Sequence, residues 1–578
     1  PMVSPSGRYV IIFNGEIYNH IELRERLNLE RPDQINWQGQ SDTEILTAAI
    51  EAWGLDKTLK NSIGMFALAL WDCKELELYL VRDRFGEKPL YYGCQKGVFL
   101  FGSELKALKA HPAFEGLIDR TAITLQLRHN YIPAPHSIYK GIKKLPPGTT
   151  IKLQFRDGRV EIPEPTPYWS LRGAIKRGAL NPFVGSDKDA VDTLDSLLRD
   201  SISQQMIADV PLGAFLSGGI DSSTVVSLMQ EQSSNPVKTF SIGFNEGSYN
   251  EANYAKAVAR HLGTDHNELY VSSDQAMSVI PKLPTLYDEP FSDSSQIPTF
   301  LVSEMTKKHV TVSLSGDAGD ELFGGYNRYL FTHNLWTKIS RLPRLLRSLG
   351  VGTLTALSPD QWNKMQGAVS YLLPKAWRFE NFGDKLHKGA GVLHCSSMEE
   401  LYMGLISHWT DPSSLVIGGQ EPDTIFSQSE ALFSDVTGIE RMMALDSLTY
   451  LPDDILVKVD RAGMGVSLET RMPFLDRRIA EFVWRLPLSM KIRNGQGKWI
   501  LRQVLYKYVP KDLIERPKMG FGVPLDSWLR GPLRDWAENL LNETRLRNEG
   551  FFKPAPIQEK WYEHLSGQRN WQHHLWDI

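Results

Sequence analysis

The chain has 578 residues, with 64 Lys and Arg against 68 Asp and Glu, a formal net charge of −4, and 42% hydrophobic residues. This is an ordinary globular balance with sequence enough for two or more cores, and it excludes a general polyanion binder. Three scattered cysteines, Cys73, Cys94 and Cys395, exclude a disulfide scaffold and a cysteine zinc cage, and no apolar run reaches the roughly 18–20 residues that span a bilayer. A cytoplasmic protein with neither nucleic-acid nor membrane partners is expected.

Residues 1–170 read as β-rich. Strands are expected at Tyr9–Phe13, Met65–Trp71, Leu76–Val81, Leu90–Tyr92 and Val98–Phe101, with helices at Ile21–Leu27 and Thr43–Trp53, the second capped by Ser41 or Asp42. Prolines crowd the stretch from Pro133 through Pro146-Pro147 to Pro167, which suits extended passage between domains. From about residue 188, helices and strands alternate. Asp189–Met206, Ser222–Gln230 and Tyr249–Leu262 read as helices, and Leu212–Leu216, Lys238–Phe244 and Val310–Leu314 as strands, the pattern of a parallel sheet covered by helices. Beyond about residue 330 the pattern is mostly helical, and its Trp- and Leu-rich stretches read as core or interface. Asn542-Glu543-Thr544 reads as a chance glycosylation string, and His573-His574 as part of an exposed terminal helix.

The sharpest motif is Leu216-Ser217-Gly218-Gly219-Ile220-Asp221-Ser222-Ser223, between an expected strand and an expected helix. The glycines let the backbone approach a ligand and aim several N–H groups at one point, the helix adds its positive end, and Asp221 can hold Mg²⁺ against phosphates. A plain Gly-rich turn with Asp221 as helix cap is the alternative for a lone pair of glycines; the full string favours phosphate binding. It lacks the lysine of a Walker loop. It resembles instead the SGGxDS loop of the ATP pyrophosphatase superfamily, whose members cleave ATP between its α and β phosphates and adenylate a substrate oxygen.

A second string, Ser315-Gly316-Asp317-Ala318-Gly319-Asp320-Glu321, follows the Val310–Leu314 strand, where ligands gather in parallel sheets. Carboxylates packed this closely call for a cation or a donor array, so the string reads as a Mg²⁺–ATP or substrate site rather than a solvated turn. Lys458 and Arg461 can supply positive charge for a departing pyrophosphate, or can pair with Asp453, Asp454 or Asp460 on a helix surface; the residues alone leave both open. Near the start, Asn14 and Gly15 at a strand end form a two-donor oxyanion hole, although Asn-Gly alone is more often a turn.

Taken together, these strings resemble the glutamine-dependent asparagine synthetase family. The likeness runs in the family's order from Asn14–His20 and Ser41–Glu44 through Arg82–Tyr92, Phe101–Glu104, Leu145–Gly148, both phosphate-site strings and Glu469–Asp476. The resemblance implies an α+β glutaminase-like sandwich, truncated, over residues 1–170, a linker at 171–188, an α/β parallel-sheet ATP pyrophosphatase domain with a largely helical C-terminal part over 189–540, and a helical extension at 541–578. It implies ATP-dependent formation of asparagine from aspartate through β-aspartyl-AMP, with ATP and Mg²⁺ required, glutamine or ammonia as nitrogen source, small-molecule partners only, and a homodimer as an allowed assembly. Amidation of another carboxylate, such as a sugar acid in polysaccharide biosynthesis, is the alternative. A pyrophosphatase relative acting on tRNA, or a scaffold without activity, fits the charge balance and the intact acidic strings less well.

By the same resemblance Asn14, Gly15 and Glu16 bind glutamine, with Asn14 and Gly15 on the oxyanion and Asp42 on the α-amino group. Leu216 and Ile242 contact adenosine, while Ser217, Gly218, Gly219, Asp221, Ser222, Ser315 and Gly316 hold ATP. Asp317 supports adenylate formation, Asp221 and Asp320 hold Mg²⁺, and the catalytic basic residue falls on Lys458 or Arg461. One departure stands out. The family's nucleophile is an N-terminal cysteine whose amino group serves as base, and here the first residue is Pro1. A chain missing its opening segment is expected, working with ammonia alone as it stands.

Overall fold

The computed structural model describes residues 1–31, 35–156, 159–244, 252–357, 361, 362, 365, 382–516 and 522–578. The chain divides into two compact units, the first formed by Pro1–Gln126, Tyr131–Gly325 and Met443–Val523, the second by Leu127–Asn130, Tyr326–Met442 and Pro524–Ile578.

The first part of unit 1 is built on a seven-stranded sheet. Its strands are β1 (Met2–Val3), β2 (Tyr9–Ile17), β3 (Gly64–Asp72), β4 (Glu77–Arg82), β8 (Thr149–Arg156), β9 (Arg159–Val160) and β10 (Thr166–Pro167), in the order β1-β2-β3-β4-β8-β10, with β9 paired to β8. A smaller sheet orders β6 (Val98–Gly102), β5 (Tyr91–Gln95) and β7 (Ile142–Lys144). Strand β3 shows why the layers form. Phe66, Leu68 and Leu70 pack with Ile45, Leu46 and Ala49 of the Asp42–Trp53 helix, whereas Ala67 and Ala69 alternate to the other face with Leu80, Leu90 and Tyr92. A strand buried on both faces reads as an unbroken apolar run. This is a helix–sheet–sheet sandwich of the α+β kind.

Two expectations need correcting here. The proline-dense stretch is no mere passage, because β7 and β8 lie within it and β8 pairs with β4 from Glu77↔Gln154 to Val81↔Thr150. Pro146, Pro147 and Pro163 stand outside those ladders, and Pro167 sits in the two-residue edge strand β10 opposite Thr149. Strand β2 also runs on past Phe13, so Asn14, Gly15 and Glu16 lie inside the strand opposite Ala67, Phe66 and Met65. A Cβ on Gly15 would sit 2.0 Å from the Met65 carbonyl oxygen, so glycine is what lets the ladder continue.

The second part of unit 1 is a parallel five-stranded sheet, β13 (Asp265–Val271), β12 (Lys238–Phe244), β11 (Leu212–Phe215), β14 (Val312–Leu314) and β15 (Glu469–Arg471), in that order. The Asp187–Gln205 helix opens with a capping box between Ser186 and Asp189, and the Ile220–Gln232 helix follows β11 directly. The helix expected over Tyr249–Leu262 is observed as Ala252–Leu262, and residues 249–251 lie outside the described residues. Unit 2 is helical, with buried Tyr329 and Tyr402 ring centroids 6.3 Å apart and Arg128 forked onto Glu421. Among the described residues, no helix is long and apolar enough to cross a membrane.

Candidate active site

Strands β11 and β14 are neighbours, so their C-terminal loops emerge side by side. In the first loop the Ser217 N–H donates to Ser222 Oγ at 3.1 Å and the Gly219 N–H to Ser217 Oγ at 3.2 Å, which leaves a tight turn at the head of the Ile220–Gln232 helix. Gly218 has φ +72°, and a Cβ there would meet the Ala255 nitrogen at 2.7 Å. The second loop lies against the first. A Cβ on Gly316 would come within 2.7 Å of the Ser222 nitrogen, and one on Gly319 within 2.3 Å of Asp221 Oδ1. The backbone contact at Gly316 and the Asp221 carboxylate packed on Gly319 leave no room for a Cβ at either point.

The charges meet where the loops meet. The Lys498 ammonium donates to Asp221 Oδ2 and stands 2.6 Å from Asp320 Oδ1, and its side chain is only 7% exposed. Burial alone would lower the Lys498 pKa, but Asp221 and Asp320 outweigh it and raise the value above the usual range for lysine. Asp317 accepts a hydrogen bond from Ser315 Oγ at 2.5 Å and lies within the fields of both Lys458 and Lys498; burial nevertheless pushes its carboxyl up. Lys458, on the Leu456–Met464 helix, donates to Asp293 Oδ2 at 2.8 Å. Burial opposes the charge on Asp293, yet Lys458 holds that carboxyl down at about 2, and Asp293 in turn keeps Lys458 protonated.

Most of the residues expected around ATP therefore converge, namely Leu216, Ser217, Gly218, Gly219, Asp221, Ser222, Ser315, Gly316, Asp317 and Asp320. Ile242 is buried in β12, whose following residues 245–251 lie outside the described residues. Lys458 and Arg461 part company although they share one helix. The Arg461 guanidinium reaches Glu104 Oε1 at 2.8 Å and the Ser103 carbonyl at 2.9 Å, in the sandwich. Its neighbourhood also holds Asn14, whose Nδ2 donates to Ser103 Oγ at 3.1 Å. Asp42 accepts the Ile17 N–H at 2.9 Å through Oδ2 and the Thr43 N–H at 2.6 Å through Oδ1, so Asn14, Gly15, Glu16 and Asp42 form one cluster. Burial first, and then Asp42, push the Glu16 carboxyl up to about 7.

Sequence reasoning missed Lys498, Asp293 and Arg471. A faint signal existed for the first, since Gly495-Gln496-Gly497 precede it and the apolar Trp499–Leu505 helix follows. Asp293 sits in the acidic and serine-rich string Asp288–Ser295, ahead of the Gln296–Lys307 helix. Arg471 lay in a quoted motif without a role.

As to a metal, no group of three or more His, Cys, Asp or Glu side chains is placed to hold an ion among the described residues. Asp221 and Asp320 both approach the Lys498 ammonium, so a cation already stands between them. Two carboxylates at such a point fit an ion that takes its other ligands from phosphate and water.

Comparison with known proteins gives the same order of parts. The glutamine amidotransferase domain family matches residues 1–169 and the asparagine synthase family residues 193–578. A putative glutamine-hydrolysing asparagine synthetase of Mycobacterium tuberculosis is 33% identical over 581 residues, covering 99% of this chain and 83% of that protein. Glutamine-hydrolysing asparagine synthetase 1 of Bacillus subtilis is 31% identical over 591 residues, covering 100% and 85%. The amidase chyE of Penicillium rubens is 25% identical over 585 residues, covering 95% and 82%. With that span and identity, the chain belongs to the asparagine synthase family, amide-forming carbon–nitrogen ligases joined to a glutamine amidotransferase domain.

Proposed function

We propose that the chain activates the β-carboxylate of aspartate with ATP, forming β-aspartyl-AMP and pyrophosphate, and that ammonia then displaces AMP to give asparagine. The observation that carries this reading is the meeting of the β11 and β14 loops around Lys498, with Asp317 in the fields of both Lys498 and Lys458. The head of the Ile220–Gln232 helix, set by the tight Ser217–Gly219 turn, takes the phosphates. Mg²⁺ held by Asp221 and Asp320 supplies charge neutralisation on the phosphates when bound. Lys498 and Lys458 offset the negative charge that grows on the leaving pyrophosphate, each kept protonated by its own carboxylates. Asp317, with its raised pKa beside Ser315, steadies the loop during adenylate formation.

In the sandwich, Asn14 and Gly15 stabilise the oxyanion formed when glutamine is hydrolysed, Glu16 binds glutamine with them, and Asp42 receives the α-amino group. Arg461 holds the Ser103–Glu104 segment beside Asn14 and acts as a positioning residue.

The test is direct. With Mg²⁺, ATP and ammonium, aspartate should yield asparagine with one AMP and one pyrophosphate, and Asp221→Ala should abolish pyrophosphate release while circular dichroism stays native. Release of AMP with another carboxylate but none with aspartate would overturn the choice of acceptor. Undiminished release from Asp221→Ala would overturn the assignment of the loop.

A further inference from the structure

Strand β15 is the edge strand of the parallel sheet, and its last residue, Arg471, pairs with Leu314. One step further the Arg471 carbonyl oxygen accepts the Ser315 N–H at 2.8 Å, so the start of the second ATP loop hangs on this residue's main chain. The side chain of the same residue points the other way, toward the sandwich. Its Nε donates to Glu469 Oε1 at 2.7 Å and its Nη1 to the Gln205 and Ile207 carbonyls at 2.8 and 2.7 Å, and Nη2 lies 3.5 Å from Glu16 Oε2. The guanidinium is 4% exposed and rests 5.5 Å from the Tyr18 ring centroid. A buried, forked cation with two fixed carbonyl partners has little freedom to turn, so a change in its pull toward Glu16 passes to its own backbone.

We propose that Arg471 is a positioning residue joining the two sites. The charge on Glu16, in the strand assigned to glutamine, holds the Arg471 guanidinium and through the Arg471 carbonyl sets the Ser315 loop that takes ATP. This rests on the assignment of Ser315 to ATP given above.

The groups facing Glu16 are Asp42 from the Asp42–Trp53 helix, Arg471 and Glu469 from β15, and Asp209 from the turn before β11. Burial first, and then the three carboxylates among these, raise the Glu16 carboxyl to about 7, so Glu16 changes charge near neutral pH while Arg471 keeps its charge. Below about pH 7 the pull on the guanidinium disappears; above it the pull is present. An amino-acid substrate whose ammonium group approached Glu16 would draw on the same charge, which gives the glutamine strand a means of reporting occupancy to the ATP loop.

The experiment measures the Mg²⁺–ATP dissociation constant calorimetrically at about pH 5.5 and about pH 8.5, for wild type, Glu16→Gln and Arg471→Lys. Wild type and Glu16→Gln should bind alike at the lower pH, where neither carries charge at this position. At the higher pH wild type should bind roughly 1.5- to fivefold tighter, as the loss of one partly exposed ion pair implies. Arg471→Lys, which keeps the charge without the fork, should retain a smaller pH-dependent difference from its own Glu16→Gln double variant. A difference between wild type and Glu16→Gln that is the same at both pH values would mark a merely structural effect, and no difference at either would also overturn the coupling. Nucleotide that binds at no pH would sink the ATP site and the coupling together, whereas binding with a pH-independent difference sinks the coupling alone.

Discussion

Lys458 and Lys498 hold the same kind of charge for different partners, one facing Asp293 and the other Asp221 and Asp320. Replacing either by Met removes a donor aimed at developing charge and should lower aspartate-dependent AMP formation by roughly 10²–10³-fold. Arg461→Met should lower it less than about tenfold, and an equal loss would place Arg461 among the groups that touch pyrophosphate. Glu16 makes a separate prediction about folding. Its carboxyl holds a proton up to about pH 7 in the folded chain and to about 4.5 when free, so the stability tied to that proton is present below 4.5 and is lost as pH rises through 7. Glu16→Gln should therefore melt higher than wild type at pH 8 by an amount near 1–3 kcal/mol, with the gain vanishing by about pH 4.5. Equal melting at pH 8 would show that Arg471 already offsets the burial of this charge. Residues of this kind were the least legible in the sequence. Asp221 and Asp317 announced themselves by their glycine company, whereas Asp293 and Lys498 gained a role only by meeting partners 165 and 277 positions away.

At the scale of elements, the two glycine loops act as one cradle. Gly316→Ala places a methyl within 2.7 Å of the Ser222 nitrogen and 2.8 Å of the Asp221 carbonyl carbon, both backbone atoms that cannot swing aside. The variant should fold, and its KM for ATP should rise about tenfold with a smaller change in kcat, because uniform nucleotide binding is what the shifted loop loses. An unchanged KM would mean the loops have room to separate. Elements with strong apolar patterns were readable, including β12 over its whole length and the Asp187–Gln205 helix to within two residues. Strand β13 was not, since Asp265-His266-Asn267-Glu268 is polar, as an edge strand allows. Strand β15 is three residues long and carries two charges, so nothing in its own composition marks it.

At the scale of the whole molecule, unit 1 is tied across its sandwich and its parallel-sheet part by buried ion pairs. Lys88 meets Asp460 at 2.9 Å with side chains 4% and 6% exposed, and Lys144 meets Glu289 at 2.6 Å. Burial would lower the pKa of Lys88, but Asp460 overrides it. Lys88→Met should cost about 3–5 kcal/mol because it strands a buried carboxylate, and adding Asp460→Leu should recover most of that loss in chemical denaturation. No recovery in the double variant would mean that the lysine acts through packing rather than charge. These ties span 372 and 145 sequence positions, which is why residues 1–170 and the later α/β block read as separate bodies in the sequence while clustering as one unit in the structure. The lysine between Asp221 and Asp320 has a consequence for the order of events. A site that carries its own counter-cation has no need of a free metal ion, and an arriving ion must displace an ammonium group already hydrogen-bonded in place. Nucleotide and metal should therefore enter as a pair, and Mg²⁺ added without nucleotide should leave the melting temperature where it was.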